Sequence, residues 1–313
     1  MLKIKTAADY KRIKDSVVTI GTFDGVHIGH QKIISRLVDI AKTNDLQALV
    51  LTFFPHPRMV VQKDSDIKLI NTIDEKATQL QELGVDHLVV KEFTTSFSRL
   101  TALEYVRDVL VNKLKVKHII VGYDHHFGRN RTATIDDLIE FGKFYDFEVT
   151  QIDAQEIGDV AVSSTKIRIA LNEGKMKIAN QFLGYDFMLT GTVVKGKGLG
   201  SNLNFPTANI HIEELYKLIP KQGVYLVQSI LNEHQTYGMM NIGKNPTVSK
   251  DNKTHIEVHF FDFDGDLYGE TLKIELLDHL RSEIKFPNIN ALKEQLENDK
   301  SNAKQRINLL SKI

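Results

Sequence analysis

An apolar run, Ser16-Val17-Val18-Thr19-Ile20, leads directly into Gly21-Thr22-Phe23-Asp24-Gly25-Val26-His27-Ile28-Gly29-His30, and a helical pattern begins near Gln31. A strand that ends in a glycine-rich turn and continues as a helix is the opening unit of a parallel α/β sheet. Backbone N–H groups at such a turn point outward unpaired, and the helix dipole adds partial positive charge, so the turn attracts phosphate. Its glycines let a ligand approach the main chain closely. His27 and His30 can donate hydrogen bonds to phosphoryl oxygens whose charge grows during transfer. The turn is expected to bind a nucleotide and to serve nucleotidyl transfer. Zinc is a poor alternative, because no third ligand stands at useful spacing and no Glu lies between the two histidines. A structural turn with incidental histidines stays open on these residues alone.

The alternation continues through the first half. Apolar runs at 17–20, 48–54, 87–90 and 118–121 read as buried parallel strands, with helical patterns near 31–44, 73–83, 102–114 and 135–145. Thr72 with Glu75 and Thr101 with Glu104 form capping-box signatures, and Gly84 after Leu83 is a helix stop. The pattern changes near Gly184, after a short helical segment at 176–183. Segments 187–194, 224–230, 237–242, 255–263 and 267–277 read as strands, several of them alternating as half-buried antiparallel strands do. A last helix near 291–310 carries Leu292, Leu296, Ile307 and Leu310 on one face. The expected fold is an α/β domain with a parallel sheet, residues 1–183, followed by a small antiparallel β-barrel with a terminal helix, residues 184–313. No Pro/Gly/Ser-rich linker separates them, so a short connection and touching domains are expected.

Composition excludes several classes. Forty basic and forty acidic residues cancel, which argues against a nucleic-acid partner. The absence of cysteine removes disulfides and thiol catalysis and suits a reducing cytosol. The amino terminus lacks an apolar signal core, and no run approaches the roughly eighteen apolar residues a membrane span needs. A cytoplasmic protein with no membrane partner is expected.

Three further segments of the first half carry chemistry. Pro55-His56-Pro57 follows the second apolar run, where the prolines can stiffen a loop that holds His56 over the ligand; a tight turn with an exposed histidine reads it equally well. Gly122-Tyr123-Asp124-His125-His126-Phe127-Gly128 follows the fourth, and Asp124 can orient a polar ligand group or sit in an ordinary polar loop. In Ser163-Ser164-Thr165-Lys166-Ile167-Arg168 either serine is a natural N-cap. Lys166 and Arg168 then fall in a first turn, where the dipole disfavours cations, and a compensating anion such as a triphosphate accounts for them.

In the second half, Gly191-Thr192-Val193-Val194-Lys195-Gly196-Lys197-Gly198 nearly spells a P-loop but lacks the closing Ser/Thr and the helix. A glycine-rich flap over phosphates or a flexible hairpin remains. In Leu203-Asn204-Phe205-Pro206-Thr207-Ala208-Asn209 the alternate residues Thr207 and Asn209 face one way in an extended segment and offer hard oxygens to Mg²⁺. Phe261-Asp262-Phe263-Asp264-Gly265-Asp266-Leu267 reads as an Asp-Gly hairpin turn rather than a calcium loop.

Residues 21–30, 55–57, 122–128, 163–168, 203–209, 241–247, 256–259 and 280–286 resemble, in order and spacing and across essentially the whole chain, the bacterial bifunctional riboflavin kinase/FAD synthetases. The resemblance implies a Rossmann-like nucleotidyltransferase domain that moves AMP from ATP to FMN and releases pyrophosphate. It also implies a riboflavin kinase-like barrel that phosphorylates riboflavin to FMN. Gly21, Phe23, Asp24, Gly25 and Gly29 would then belong to the ATP site, with His27 and His30 on the phosphates and Ser163, Ser164, Thr165 and Arg168 on the triphosphate. Pro55, His56, Pro57 and Asp124 would line the flavin-phosphate region. In the barrel, Gly191, Gly196, Lys197 and Gly198 would cover ATP, Thr207 and Asn209 would hold Mg²⁺, Glu257 would be the base for the riboflavin hydroxyl, and Arg281 would help close the flavin site. On its own, Glu257 is a solvent-facing residue of an alternating strand. The chain departs from the pattern at His125-His126, where a phenylalanine and a variable residue are usual, and at Asn204, where glycine is usual; Asn tolerates left-handed backbone angles. A single-activity FMN adenylyltransferase with a flavin- or partner-binding barrel is the alternative, and a non-enzymatic sensor a more distant one. Oligomeric state is not legible.

Overall fold

The structure, a computed structural model, describes residues 3–7, 9–10, 14–62, 66–122, 125–152, 162–196, 200, 203–244 and 254–310. It divides into two compact units, Met1–Ser164 and Thr165–Ile313. In the first, β1 (Lys3–Thr6), β2 (Ser16–Ile20), β3 (Gln47–Phe54), β4 (His87–Glu92), β5 (His118–Gly122) and β6 (Glu148–Ile152) form one sheet in the order β1-β4-β3-β2-β5-β6. Every pairing is parallel. Because side chains alternate along a strand, neighbouring apolar residues serve opposite faces. Val17, Val50, Leu88 and Ile120 pack with Ile34 and Leu37 of α1 (Ile28–Thr43) and Leu80 of α3 (Ile73–Glu82), while α2 (Pro57–Val61) is a short surface turn. Val18, Leu49, Leu51, Val89 and Ile119 pack on the other face against Val106, Val109 and Leu110, and against Leu138 of α5 (Ile135–Tyr145). Each fully buried Leu or Ile contributes about 2 kcal/mol by leaving water.

Both capping boxes form as the spacing predicts, because they are local: Thr72 and Glu75 exchange side chain-to-backbone bonds, and so do Thr101 and Glu104. The helix expected at 102–114 is α-helical only over α4 (Ala102–Glu104) and continues as a wider π-helix, Tyr105–Leu114. The edge strands β1 and β6 were not expected. They are short and interrupted by polar residues, as edges are, and carry little apolar pattern.

The second unit holds α6 (Ser164–Glu173, whose first residue ends the first unit) and α7 (Met176–Leu183), which stops at the left-handed Gly184 (φ 78°). A closed six-stranded antiparallel barrel follows, built from β7 (Phe187–Val194), β8 (Ala208–His211), β9 (Gly223–Leu231), β10 (His234–Lys244), β11 (Thr254–Phe260) and β12 (Thr271–Arg281), in the order β10-β11-β8-β7-β12-β9. Asn180 fastens α7 to it, donating to the Leu276 carbonyl (2.8 Å) and accepting from the Phe187 N–H (2.9 Å). The terminal helix α8 (Ile289–Leu310) lays Leu296, Ala303 and Ile307 on Phe205, Met239 and Phe261.

One expectation is corrected. Asp264-Gly265 is not a hairpin, because β11 pairs with β10 and β8 whereas β12 pairs with β7 and β9. Residues 261–270 therefore cross between strands that are not neighbours, and β12 begins at Thr271 instead of 267.

Gly191 shows how tightly β7 and β8 pack: a Cβ there would lie 2.6 Å from the His211 carbonyl oxygen and 2.7 Å from Ile210 Cγ2. Gly191→Ala is expected to destabilise the barrel by about 1–3 kcal/mol through overpacking, read as a lower urea midpoint at unchanged slope.

Candidate functional site

The turn at residues 21–30 sits at the carboxyl end of β2, which lies between β3 and β5 where the strand order reverses. Open parallel sheets bind ligands in the crevice at such a point. The turn begins in register, with Gly21 N–H donating to the Leu51 carbonyl (3.1 Å), and then takes left-handed angles at Phe23 (φ 44°), Gly25 (φ 88°) and Val26 (φ 36°). Phe23 and Val26 are buried non-glycine residues, so the surrounding packing must hold this conformation in place. Asp24 does much of it. Its buried carboxylate accepts from the N–H groups of Ile70 (2.9 Å) and Asn71 (3.5 Å), and its carbonyl accepts from the Ser164 hydroxyl (2.8 Å). That last bond brings Ser164, the last residue of the first unit, to the turn. Thr22 offers its carbonyl to Thr52 Oγ1 (3.2 Å) and to the ammonium of Lys76 (2.7 Å).

His27 is the N-cap of α1, and its Nδ1 accepts from the His30 N–H at 3.4 Å, which leaves Nε2–H as its donor. The two imidazoles stack with centroids 3.6 Å apart and planes inclined by 16°, and Phe23 meets His30 edge-on at 5.2 Å. Burial lowers His27 to about 4. Burial first, then the neighbouring His27 and Lys76 charges, push His30 well below the usual imidazole range. Both rings are neutral at pH 7. The His30 Nδ1 is buried without a hydrogen-bond partner. Lys76 was missed in the sequence, where it reads as one more polar residue of a helix; its burial is a tertiary fact.

At the ends of β3 and β5, Pro57 opens α2 and His56 caps it, accepting from Arg58 N–H at 3.1 Å. Phe53, Phe93, Phe97, Tyr105 and Phe127 form a connected chain of ring contacts at 5.4–6.0 Å. Ser164 is the first residue of α6, Thr165 is exposed and Arg168 half-buried. Asp124, Lys197 and Gly198 lie outside the described residues.

In the barrel, Asn209 stands opposite both Val194 and Glu257, and Glu257 stands opposite Asn241. Directly paired residues share a face, so Asn209, Glu257 and Asn241 form one polar row across three strands. Thr207, two residues before Asn209, belongs to the same face of an extended segment. Gly196 lies against Asn209: a Cβ there would be 2.1 Å from Asn209 Nδ2. The expected turn at Asn204 forms with φ 62°, a left-handed angle that Asn accepts. Phe205 behind it is buried against Ala303 of α8, and the Pro206 carbonyl is bonded to His259 Nδ1 (2.9 Å). A 190 Å³ cavity is lined by Gly196, Thr207 and Asn209 on one side and by Phe263, Leu267 and Tyr268 of the crossing loop on the other. That second wall was not expected, because the loop had been assigned to a hairpin. Arg281 is engaged by Asp299 of α8 through Nε (2.9 and 3.0 Å) and Nη2 (2.7 Å).

The FAD synthetase family model matches residues 9–166 and the riboflavin kinase family model matches residues 183–307. The bifunctional riboflavin kinase/FMN adenylyltransferase of Listeria monocytogenes is 40% identical over 93% of this chain and 92% of its own length. The protein of the same name from Bacillus subtilis is 37% identical, covering 92% and 91%, and that from Escherichia coli K12 is 35% identical, covering 92% of each. Among solved structures, one named as a macrolide-efflux protein from Streptococcus pneumoniae superposes with a TM-score of 0.85 at 31% identity, covering 96% of this chain and 98% of that one. Among the described residues here no helix is long and apolar enough to cross a membrane.

The Arg281–Asp299 pair is nearly enclosed, with Asp299 only 4% exposed. Asp299→Ala strands the guanidinium and is expected to cost about 3 kcal/mol in urea unfolding.

Proposed function

Because the chain belongs to the family of bifunctional riboflavin kinase/FMN adenylyltransferases, we propose that residues 1–183 transfer AMP from ATP to FMN and that residues 184–313 phosphorylate riboflavin with ATP. The observation that carries this reading is the presence of two unrelated phosphate-handling constellations, the 21–30 turn and the Thr207–Asn209–Glu257 face. FAD synthesis in the first unit needs no base on the nucleophile. The FMN phosphate is already anionic at pH 7, with a second pKa near 6. One of its oxygens attacks the α-phosphorus of ATP, the bond to the β-phosphate oxygen breaks, and pyrophosphate leaves. The protein aligns the substrates and stabilises charge on the phosphoryl oxygens.

For that task Gly21, Gly25 and Gly29 admit the triphosphate to the main chain, while Phe23 and Asp24 hold the turn's shape. His27 and His30, both neutral at pH 7, each retain one N–H donor and gain protons more readily beside phosphates. Ser163, Ser164, Thr165 and Arg168 complete the triphosphate site, and Ser164 donates to the Asp24 carbonyl of the turn. Pro55, His56, Pro57 and Asp124 line the flavin-phosphate region. The aromatic chain from Phe53 to Phe127 suits a flat ring system.

In the barrel Glu257 takes the proton of the riboflavin 5′-hydroxyl as that oxygen attacks the γ-phosphorus and ADP leaves. Gly191, Gly196, Lys197 and Gly198 belong to the flap over ATP. The cavity beside Thr207 and Asn209 supports a nucleotide at that wall, and Arg281, held by Asp299, supports the flavin side. Thr207 and Asn209 present neutral hard oxygens on one face, with Gly196 making the cradle that a Cβ would fill; this donor set fits Mg²⁺, which prefers few protein ligands plus phosphates and water. When bound, Mg²⁺ would neutralise charge on the transferring phosphates. The single-activity alternative drew on Asn204, and the left-handed turn formed there removes that support.

Incubation with riboflavin and Mg-ATP, followed by chromatography, is expected to yield FMN and then FAD. Riboflavin as the sole surviving flavin would end the kinase reading. Glu257→Gln is expected to lower FMN formation by about two to four orders of magnitude while FMN-to-FAD conversion continues; loss of both in a folded variant contradicts the division. EDTA is expected to stop both reactions and added Mg²⁺ to restore them.

A further inference from the structure

A positively charged side chain lies buried directly beneath the 21–30 turn. Lys76 sits on the sheet-facing side of α3 with 3% of its surface exposed. Its ammonium donates to the Thr22 carbonyl at 2.7 Å and reaches Thr52 Oγ1 at 3.5 Å. Those two contacts join α3, the tip of β3 and the first residues of the turn. The titratable groups that face it are Asp24 of the turn and His30 of α1. Asp24 divides its carboxylate among other donors, namely the Ile70 and Asn71 amides.

A lysine is rarely buried this deeply, and burying one costs stability. Burial outweighs the attraction of Asp24 and brings Lys76 down to about 8. The same cation helps hold His30 neutral. The histidines therefore bring no positive charge to the turn. At pH 7 the positive charge close under the turn comes from the lysine, in a setting where a charge acts more strongly than in water.

We propose that Lys76 is a positioning residue for adenylyl transfer: it pins the Thr22 carbonyl, fixes the turn that receives the triphosphate, and supplies positive potential to it from beneath. The proposal rests on the reading of the 21–30 turn as the triphosphate site. It is specific to FAD formation, since the kinase machinery lies in the other unit. The same polypeptide thus carries an internal control.

The test uses the full chain. Lys76→Met keeps the apolar stem and removes the charge. It is expected to lower kcat for FMN-to-FAD conversion about tenfold to a hundredfold, with KM for FMN little changed, riboflavin phosphorylation at its original rate and a melting temperature no lower than the parent's. In the parent protein kcat/KM for FMN adenylylation, which reports the free enzyme, is expected to fall as pH rises through about 8, where Lys76 loses its proton. His27 and His30 are already neutral there, so they do not contribute to that limb. Lys76→Met is expected to flatten it. Because the chain has no native cysteine, Lys76→Cys carries a unique thiol. Aminoethylation of that thiol in urea, followed by refolding, rebuilds an ammonium of lysine length and is expected to restore turnover.

An unchanged kcat in Lys76→Met, or a parent profile with no alkaline limb near pH 8, overturns the proposal whether or not the variants fold well. His30→Gln measured in parallel separates the two layers. If it retains full FAD synthesis, the turn itself is not the triphosphate site and both readings fall. If it is inactive while Lys76→Met is fully active, only the role of Lys76 falls.

Discussion

The buried carboxylate of Asp24 is the interaction on which the first site depends. A turn with left-handed angles at two buried non-glycine residues, Phe23 and Val26, does not hold that shape unaided. Asp24 reaches across to the amides of Ile70 and Asn71 just before α3, and through its carbonyl it also receives the hydroxyl that opens α6. Two segments far apart in the chain are thereby tied to one bend. The bend in turn sets where the N-terminus of α1, with its outward N–H groups, meets a ligand.

The barrel reaches a comparable result by different means. There the polar row of Asn209, Glu257 and Asn241 is set by strand register, which a one-residue slip would turn to the other face. The loop leading into it is held from behind: Phe205 is packed under the terminal helix, and His259 is bonded to the Pro206 carbonyl. Glycines at 191 and 196 leave no room for a side chain between the flap strand and its neighbours. In both units the groups that would touch substrate are borne by loops, helix N-termini and barrel strands, and the packing behind them fixes their geometry.

Features with short-range causes were readable from the chain. The capping boxes at Thr72/Glu75 and Thr101/Glu104 connect residues three apart, so their chemistry is written in adjacent letters. The glycines and histidines of residues 21–30 are likewise consecutive, and the left-handed turn at Asn204 follows from what that residue tolerates. What escaped depends on partners distant in sequence. Lys76 looks like a solvated helix residue until α3 is placed under the turn. Asp264-Gly265 looks like a hairpin until β11 and β12 are seen to pair with other strands. The edge strands β1 and β6 are too short and too polar to announce themselves.

The amino-acid sequence alone determined the alternation of strand and helix in the first half, the change from parallel to antiparallel architecture near Gly184 and the residues whose chemistry suits phosphate. Each of these follows from periodicity, backbone preference or side-chain chemistry within a few neighbouring positions. Only the tertiary structure decided the charge state of the histidines, the burial of Lys76, the pairing of Asn209 with Glu257 and the second wall of the barrel cavity. These depend on which groups are removed from water together, and desolvation and strand register are properties of the assembled chain.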